Sequence, residues 1–364
     1  MTDFTPAEMM RRLERIRATM VKLNLDAFIS SEAASVRYAT GFRGEPRTLF
    51  LTKDNAVVYT SFRTESWARQ QTRSLEISTC ESPLDDILRR LPNASSLGLD
   101  MGISHGRMTN FQQHFSGHSL IASLAIDEVR KIKSEPEIEQ LRRSQELNEE
   151  VFCAVLPLIK IGMSERTVQG LILSEIAKRD SLDGFSFSPI VATGPNAWEI
   201  HHLPNATPLQ RGDLVIIDLG VIFQGYASDM TRSLCLGEPT ARMREIHGIV
   251  AQAQEQAFGI IKPGMTNHAV DQAAREVIEN SGHARGYTHG LGHGIGLATH
   301  DPDTHLSMSA PEFELKEGMA LTIEPGIYLG DQRKRKSGAR ASRTNCAGHR
   351  VTNARSWDRG QITH

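Results

Sequence analysis

Three carboxylates and one imidazole, Asp218, Asp229, Glu324 and His293, each lie in a short segment whose neighbours suit them for placement. The two aspartates share Asp-Leu-Gly-Val-Ile-Phe-Gln-Gly-Tyr-Ala-Ser-Asp (218–229), where Gly220 and Gly225 flank an apolar stretch. That pattern reads as a strand, a turn and a returning strand, with the two acids facing each other across a hairpin. His293 belongs to His-Gly-Leu-Gly-His-Gly-Ile-Gly (289–296), and Glu324 to Leu-Thr-Ile-Glu-Pro-Gly-Ile-Tyr (321–328). Carboxylates with one imidazole suit hard or borderline divalent ions such as Mn, Co, Fe or Zn. Crowded carboxylates repel one another unless cations neutralise them. The set therefore predicts a two-metal hydrolase centre, in which paired ions activate a water and polarise a carbonyl.

The elements that must position these residues follow from periodicity. Leu214-Val-Ile-Ile, just before Asp218, is a buried-strand run, and a carboxylate ending such a run needs partners. Helical spacing over 137–158, 165–179, 241–261 and 267–281 gives two helix pairs, each ahead of strand-like segments that carry site residues (188–232 and 319–328). The pairs are joined by similar turns, Leu-Ile-Lys-Ile-Gly-Met-Ser (158–164) and Ile-Ile-Lys-Pro-Gly-Met-Thr (260–266). The spacing thus suggests a duplicated half-domain with a metal centre between the halves. Upstream, a helix from Thr5 to Leu23 and short strands at 26–29, 48–51, 56–59 and 96–99 alternate with helices at 64–71 and 83–91. The expected organisation is an α/β domain over residues 1–127, a charged junction containing Pro136, and a second domain over 135–364.

Composition narrows the classes. The 364 residues are 39% hydrophobic and 23% charged, which is ordinary for a globular chain, and a net charge of −2 gives no reason to expect nucleic acid or an anionic membrane as partner. No apolar run approaches the roughly 20 residues that span a bilayer. Met-Thr-Asp-Phe-Thr-Pro has no basic region followed by an apolar core, so no secretory leader is expected. Cys80, Cys153, Cys235 and Cys346 lack Cys-x-x-Cys spacing and read as free thiols in a reducing cytoplasm.

In this order, the segments resemble the pita-bread metallopeptidases: methionine aminopeptidase, Xaa-Pro aminopeptidase, Xaa-Pro dipeptidase (prolidase) and creatinase. The preceding α/β domain resembles that of the Xaa-Pro and creatinase branch, and the likeness runs nearly to Tyr328. The resemblance implies a small creatinase-like domain followed by a catalytic domain with pseudo-twofold symmetry. By it, Asp218 and Asp229 chelate two divalent ions, Asp229 bridges them, and His293 and Glu324 complete one ion's shell. It also makes His201, in Gly-Pro-Asn-Ala-Trp-Glu-Ile-His (194–201), a substrate-side histidine, and His289 and His300 the histidines flanking the ligand. Those imidazoles would donate to a developing oxyanion, while Glu324 relays a proton. The neighbouring His202 reads as a bystander, and Tyr328 as a support. The implied substrate is a peptide with proline in second position, or an Xaa-Pro dipeptide, handled by a homodimer.

The family pattern continues past Glu-Pro-Gly-Ile-Tyr to Gly-Gly-x-Arg-Val/Ile-Glu-Asp, whose Glu is the second bridging carboxylate. Residues 331–364 contain no Glu. Three carboxylates leave two divalent ions undercompensated, which implies impaired activity with one ion bound, or two held weakly. A reading-frame slip is one explanation. If each codon across Ser337–Thr344 starts one base earlier, permitted codons spell Gly-Gly-Ala-Arg-Val-Glu-Asp. The coding DNA must then carry Ser TCG before Arg AGG at codons 342 and 343.

Other readings stand beside this one: creatinase-like or ectoine-type small-molecule chemistry on the same fold, or a binding protein that has lost catalysis. Creatinase-like chemistry needs no metal, so four retained ligand residues argue against it. Gly102-Ile-Ser-His-Gly106 satisfies the Gly-x-Ser-x-Gly elbow of serine hydrolases, but that pattern is short and its strand brief. The glycines at 290, 292, 294 and 296 do not match the dinucleotide fingerprint.

Overall fold

A computed structural model describes residues 4–45, 47–72, 75–91 and 95–329, together with the backbone of 345–347 and 350–353. The chain divides into two compact units, Met1–Arg130 and Lys131–His364.

In the first unit, helix α1 (Pro6–Lys22) starts where Thr5 accepts a hydrogen bond from the Glu8 amide, and it buries Leu13, Ile16 and Met20 at helical spacing. There follow β1 (Ala27–Ser30), α2 (Ala33–Thr40), β2 (Thr48–Thr52), β3 (Ala56–Tyr59), α3 (Glu65–Thr72), β4 (Glu76–Ser78), α4 (Pro83–Arg90), β5 (Ser96–Asp100), α5 (His105–His114), β6 (Ser119–Ser123) and α6 (Ala125–Arg130). The six strands form one mixed sheet in the order β4-β3-β2-β1-β5-β6. All four residues of β1 are buried, as expected of a central strand flanked on both faces. Ser104 of the Gly-x-Ser-x-Gly pattern caps α5, its hydroxyl accepting from the Arg107 amide at 3.4 Å. The hydroxyl is thus engaged as a helix cap.

The second unit is α/β and internally duplicated. Its first half runs α7 (Glu135–Val155), α8 (Glu165–Ala177), β7 (Leu182–Phe185), β8 (Ile190–Thr193), β9 (Leu214–Leu219), β10 (Val221–Phe223), β11 (Tyr226–Ala227) and β12 (Met230–Cys235). Its second half runs α9 (Ala241–Ile260), α10 (Asn267–Asn280), β13 (Gly292–Gly294), β14 (Asp301–Leu306), β15 (Ala320–Ile323), β16 (Gly326–Tyr328), β17 (Asn345–Ala347) and β18 (Arg350–Asn353). Pro136, read as a junction marker, is a first-turn residue of α7, where its missing N–H costs nothing.

The two helix–helix turns make the same contacts. Gly162 donates to the Leu209 carbonyl and Gly264 to the Leu315 carbonyl, both at 2.8 Å. Leu209 answers to Met163 at 2.8 Å and Leu315 to Met265 at 2.7 Å. Both glycines sit at positive φ (92° and 89°), a left-handed conformation that a side chain strains. Each half also has its own core: Val151, Val168, Ile172 and Ile217 in one cluster, Val250, Val270, Ile278 and Leu321 in the other. The first helix of each half holds a site strand by a side-chain amide: Asn148 donates to the Leu219 carbonyl, and Gln254 to the Ile323 carbonyl, both at 2.9 Å.

Lys133 and Asp301 form an ion pair at 2.7 Å, with 2% of each side chain exposed. Replacing Lys133 by methionine takes the ammonium away from a buried carboxylate, and the expected loss is about 3–5 kcal/mol of stability. Chemical denaturation of Lys133→Met beside the wild type checks this, and a loss below about 1 kcal/mol refutes it.

Candidate metal centre

Strand β9 is central in a three-stranded antiparallel sheet, with Asp218 opposite Thr231 on β12 and Ile190 on β8. The aspartates do not meet in one simple hairpin. Strands β10 and β11 form a small separate ribbon between them, and Asp229 stands just before β12. That approach is fixed from behind: Tyr226 donates to Glu137 on α7 at 3.0 Å, and Ser186 to the Ser228 carbonyl at 2.8 Å.

His293 lies on β13, between β14 and β15. The strand is held closely enough that side chains cannot fit. A Cβ at Gly292 would sit 2.0 Å from the Thr322 carbonyl oxygen, and one at Gly294 1.9 Å from the Thr304 hydroxyl. The glycines thus serve strand packing rather than close approach of backbone to a cation. Glu324 follows β15, its amide donating to the Leu291 carbonyl at 2.8 Å.

Together these elements bring His293 Nε2 to 3.4 Å from Asp229 Oδ2 and 3.3 Å from Glu324 Oε1. Asp218 and Thr231 line the same cavity of about 830 Å3, along with His201, His289, His300 and Tyr328. Asp229 and His293 are buried, whereas Asp218 and Glu324 are partly open to the cavity. The ring of His300 lies 4.0 Å from that of His293, and His289 packs edge-on against Tyr328 at 5.6 Å.

The tautomers can be read from the partners, because a carbonyl only accepts. His293 Nδ1 lies 3.0 Å from the Gly294 carbonyl and His289 Nδ1 2.7 Å from that of Gly290, so each Nδ1 carries the proton. In the neutral ring this leaves the Nε2 lone pair of His293 facing two carboxylates, which is the orientation of a metal ligand fixed by its outer hydrogen bond. Ligand atoms about 2.0–2.2 Å from one ion stand roughly 3–3.5 Å apart, so the two contacts match neighbours in a coordination shell. Among the described residues the approach is pairwise about His293, without a finished group of three or more donors. The donor set and spacing fit a divalent ion.

Charges follow the geometry. Burial disfavours the His293 cation, but the hydrogen bond with Asp229 and the charge of Glu324 outweigh it and hold its pKa above the ordinary value. His300 is held below its ordinary value, first by burial and then by His293.

Sequence reasoning passed over two residues. Thr322 is fully buried; its hydroxyl accepts from the His293 amide at 2.9 Å and donates to Glu324 Oε1 at 2.8 Å, linking the two ligand candidates. Its position two before Glu324 puts both on one strand face, and that was the available signal. The other is Glu165, whose buried carboxylate lies 2.7 Å from His202 Nε2. His202, read as a bystander, is instead 5% exposed and anchors its loop.

The two partners should show opposite pH behaviour. Burial works against the His202 cation, yet bonds to Glu165 and Glu199 leave its pKa above 6.5. Its contribution is therefore complete below pH 6.5 and lost as pH rises through the raised value. Burial also opposes the Glu165 anion, but His202 and three further donors bring its pKa below 4.5, so its contribution is lost only as pH falls through that lowered value. The melting-temperature gap between wild type and His202→Gln should narrow as pH climbs from about 6.5 to 9, and a constant gap would refute the pairing.

A two-unit α/β protein with a carboxylate–imidazole centre between duplicated halves belongs to the class of pita-bread metallohydrolases. The model of metallopeptidase family M24 matches residues 139–346, over half the chain, and that of the creatinase/prolidase N-terminal domain matches residues 12–132. The chain belongs to family M24. It is 30% identical to a Xaa-Pro dipeptidase of Pyrococcus furiosus over 323 residues, covering 88% of this chain and 91% of that one. An uncharacterized peptidase of Bacillus subtilis is likewise 30% identical, over 87% and 91% of the two chains. Among solved structures, X-Pro aminopeptidase from Thermotoga maritima matches with a TM-score of 0.82 at 27% identity over 93% of each chain. Xaa-Pro dipeptidase from Bacillus anthracis matches at 0.83 and 27%, over 96% of this chain and 98% of that one. The family is one of metallopeptidases, so divalent metal is its general cofactor. Among the described residues no helix is long and apolar enough to cross a membrane.

Proposed function

We propose that this chain is a metal-dependent peptidase of Xaa-Pro substrates, with Asp218, Asp229, His293 and Glu324 as metal ligands. The convergence of Asp229 and Glu324 on Nε2 of His293, whose Nδ1 is taken by the Gly294 carbonyl, carries the reading. Bound divalent ions would supply an activated water and a polarised carbonyl. The protein's own groups do the rest. Glu324, its Oε1 receiving the Thr322 hydroxyl, would take a proton from the water and pass it to the leaving amine. His289 has Nδ1–H committed to Gly290, so protonation at Nε2 would give it a donor for the oxyanion. His300 and His201 line the same cavity, which supports the same role for them or one in holding substrate. The fit to Mn, Co, Zn or Fe rests on the donor types, and the homodimer on the family resemblance. Exposed free thiols at Cys80 and Cys153 support a reducing cytoplasm.

We further infer that activity is limited by the tail. The string Gly338–Thr344, where the family's bridging Glu would fall, lies outside the described residues and contains no carboxylate. The test is an assay of purified chain on Xaa-Pro dipeptides and longer Xaa-Pro peptides with added Mn, Co or Zn, beside a chelated control. Cleavage that depends on metal supports the reading. Cleavage untouched by chelation, or none even in a chain with the missing Glu restored, refutes it.

A further inference from the structure

Between β8 and β9, residues 194–213 contain no strand of their own, yet one stretch of them makes a wall of the cavity. Along Ile200–Pro204 the side chains alternate: Ile200, His201 and Leu203 are open, whereas His202 and Pro204 are buried. Leu203 is 80% exposed and Ile200 37%, and both line the cavity. Large apolar side chains held in water beside a binding site gain by being covered.

What fixes this wall lies beneath it. Glu165, the first residue of α8, is 0% exposed. Its Oε1 accepts from the Thr193 amide at 2.8 Å and Asn196 Nδ2 at 2.9 Å. Its Oε2 accepts from His202 Nε2 at 2.7 Å and the Asn205 amide at 3.1 Å. Four donors spread across 193–205 thus meet one carboxylate, which uses its full accepting capacity. The second half repeats the arrangement with a neutral residue. Asn267, the first residue of α10, donates to the His305 and Pro311 carbonyls at 3.0 and 3.1 Å and accepts from the Phe313 amide at 2.9 Å. His305 and Pro311 line the same cavity.

We propose that Glu165 is a positioning residue for substrate binding: it holds Ile200, His201 and Leu203 in place, so that Leu203 and Ile200 form an apolar platform for a substrate side chain. This rests on the cavity being the substrate site. An ordered platform spares the substrate the cost of ordering a loop, so loosening it weakens binding more than it slows the chemical step. The charged version of the clamp stands under the wall with the exposed apolar pair, and bonds to a carboxylate are the stronger kind.

Three variants decide it. Glu165→Gln keeps the shape but presents an amide to the Asn205 N–H. Hydrogen exchange over residues 196–205 should speed up about tenfold or more while the core helices stay protected. The KM for a metal-loaded Xaa-Pro peptide should rise about tenfold with kcat within about threefold. Leu203→Ser, at the exposed position, should give the same KM–kcat split with no change in exchange. If Glu165→Gln does not fold, His202→Ala removes one of the four donors and serves for both readings. Unchanged exchange over 196–205, or equal KM in Leu203→Ser and wild type, overturns the proposal. If the wild type cleaves no Xaa-Pro peptide, the functional reading fails, while the exchange measurement still decides the clamp.

Discussion

Asp229→Asn is expected to lower kcat/KM for an Xaa-Pro dipeptide by about a thousandfold or more, and to lower bound metal in parallel. The residue is 4% exposed and its Oδ2 lies 3.4 Å from His293 Nε2, so the asparagine occupies the same space and keeps one acceptor. What it loses is a full negative charge at the point where divalent charge must be balanced. The fold should survive, because the strands that carry the site are held by α7 through Asn148 and Tyr226, not by Asp229. Metal analysis, activity and a melt on the same preparation separate the outcomes. A variant that keeps its metal and more than about a tenth of its activity removes Asp229 from the ligand set.

Rebuilding the absent carboxylate is expected to act in the opposite direction. The changes Ala339→Gly, Arg340→Ala, Ala341→Arg, Ser342→Val, Arg343→Glu and Thr344→Asp convert 338–344 into the family string. They should raise kcat/KM about a hundredfold and increase the metal bound per chain. Electrostatics gives the reason. On the proposed reading, Asp218, Asp229 and Glu324 would offer three negative charges to two divalent ions, and the added Glu would supply the fourth together with a second bridge. Asn345, next in sequence after this string, stands opposite Tyr328 in the β16–β17 pair, in the strand beside the segment that follows Glu324. Sequencing the gene gives a separate check through codons 342 and 343. Equal activity before and after rebuilding would show that the tail is no defect.

The difference between what the sequence revealed and what it concealed is one of range. Thr5 at the start of the first helix, the long helices of both halves and the buried run ending at Asp218 are signalled by residues within one or two turns of each other. The short helix α2 and the strands β4 and β6 were passed over, since Ala33–Thr40, Glu76–Ser78 and Ser119–Ser123 are too brief for a period to stand out. The glycines around His293 were legible as unusual, but their cause, the nearness of Thr322 and Thr304, depends on strands that are distant in sequence. The anchoring role of His202 was hidden because its partner, Glu165, lies 37 residues away, and adjacency to His201 says nothing about which side chain turns inward.

The sequence alone determined the chemical inventory: which acids and which imidazoles, in what order, the duplicated turns and the carboxylate absent after Glu324. These are local patterns, and chain order preserves them. Tertiary structure decided which of those groups meet, the tautomer of His293, the clamp of Glu165 on the cavity wall and the burial of Lys133 against Asp301. Apart from the tautomer, which the adjacent Gly294 carbonyl sets, these depend on distances closed by folding between segments tens to more than a hundred residues apart, and no local period encodes such distances.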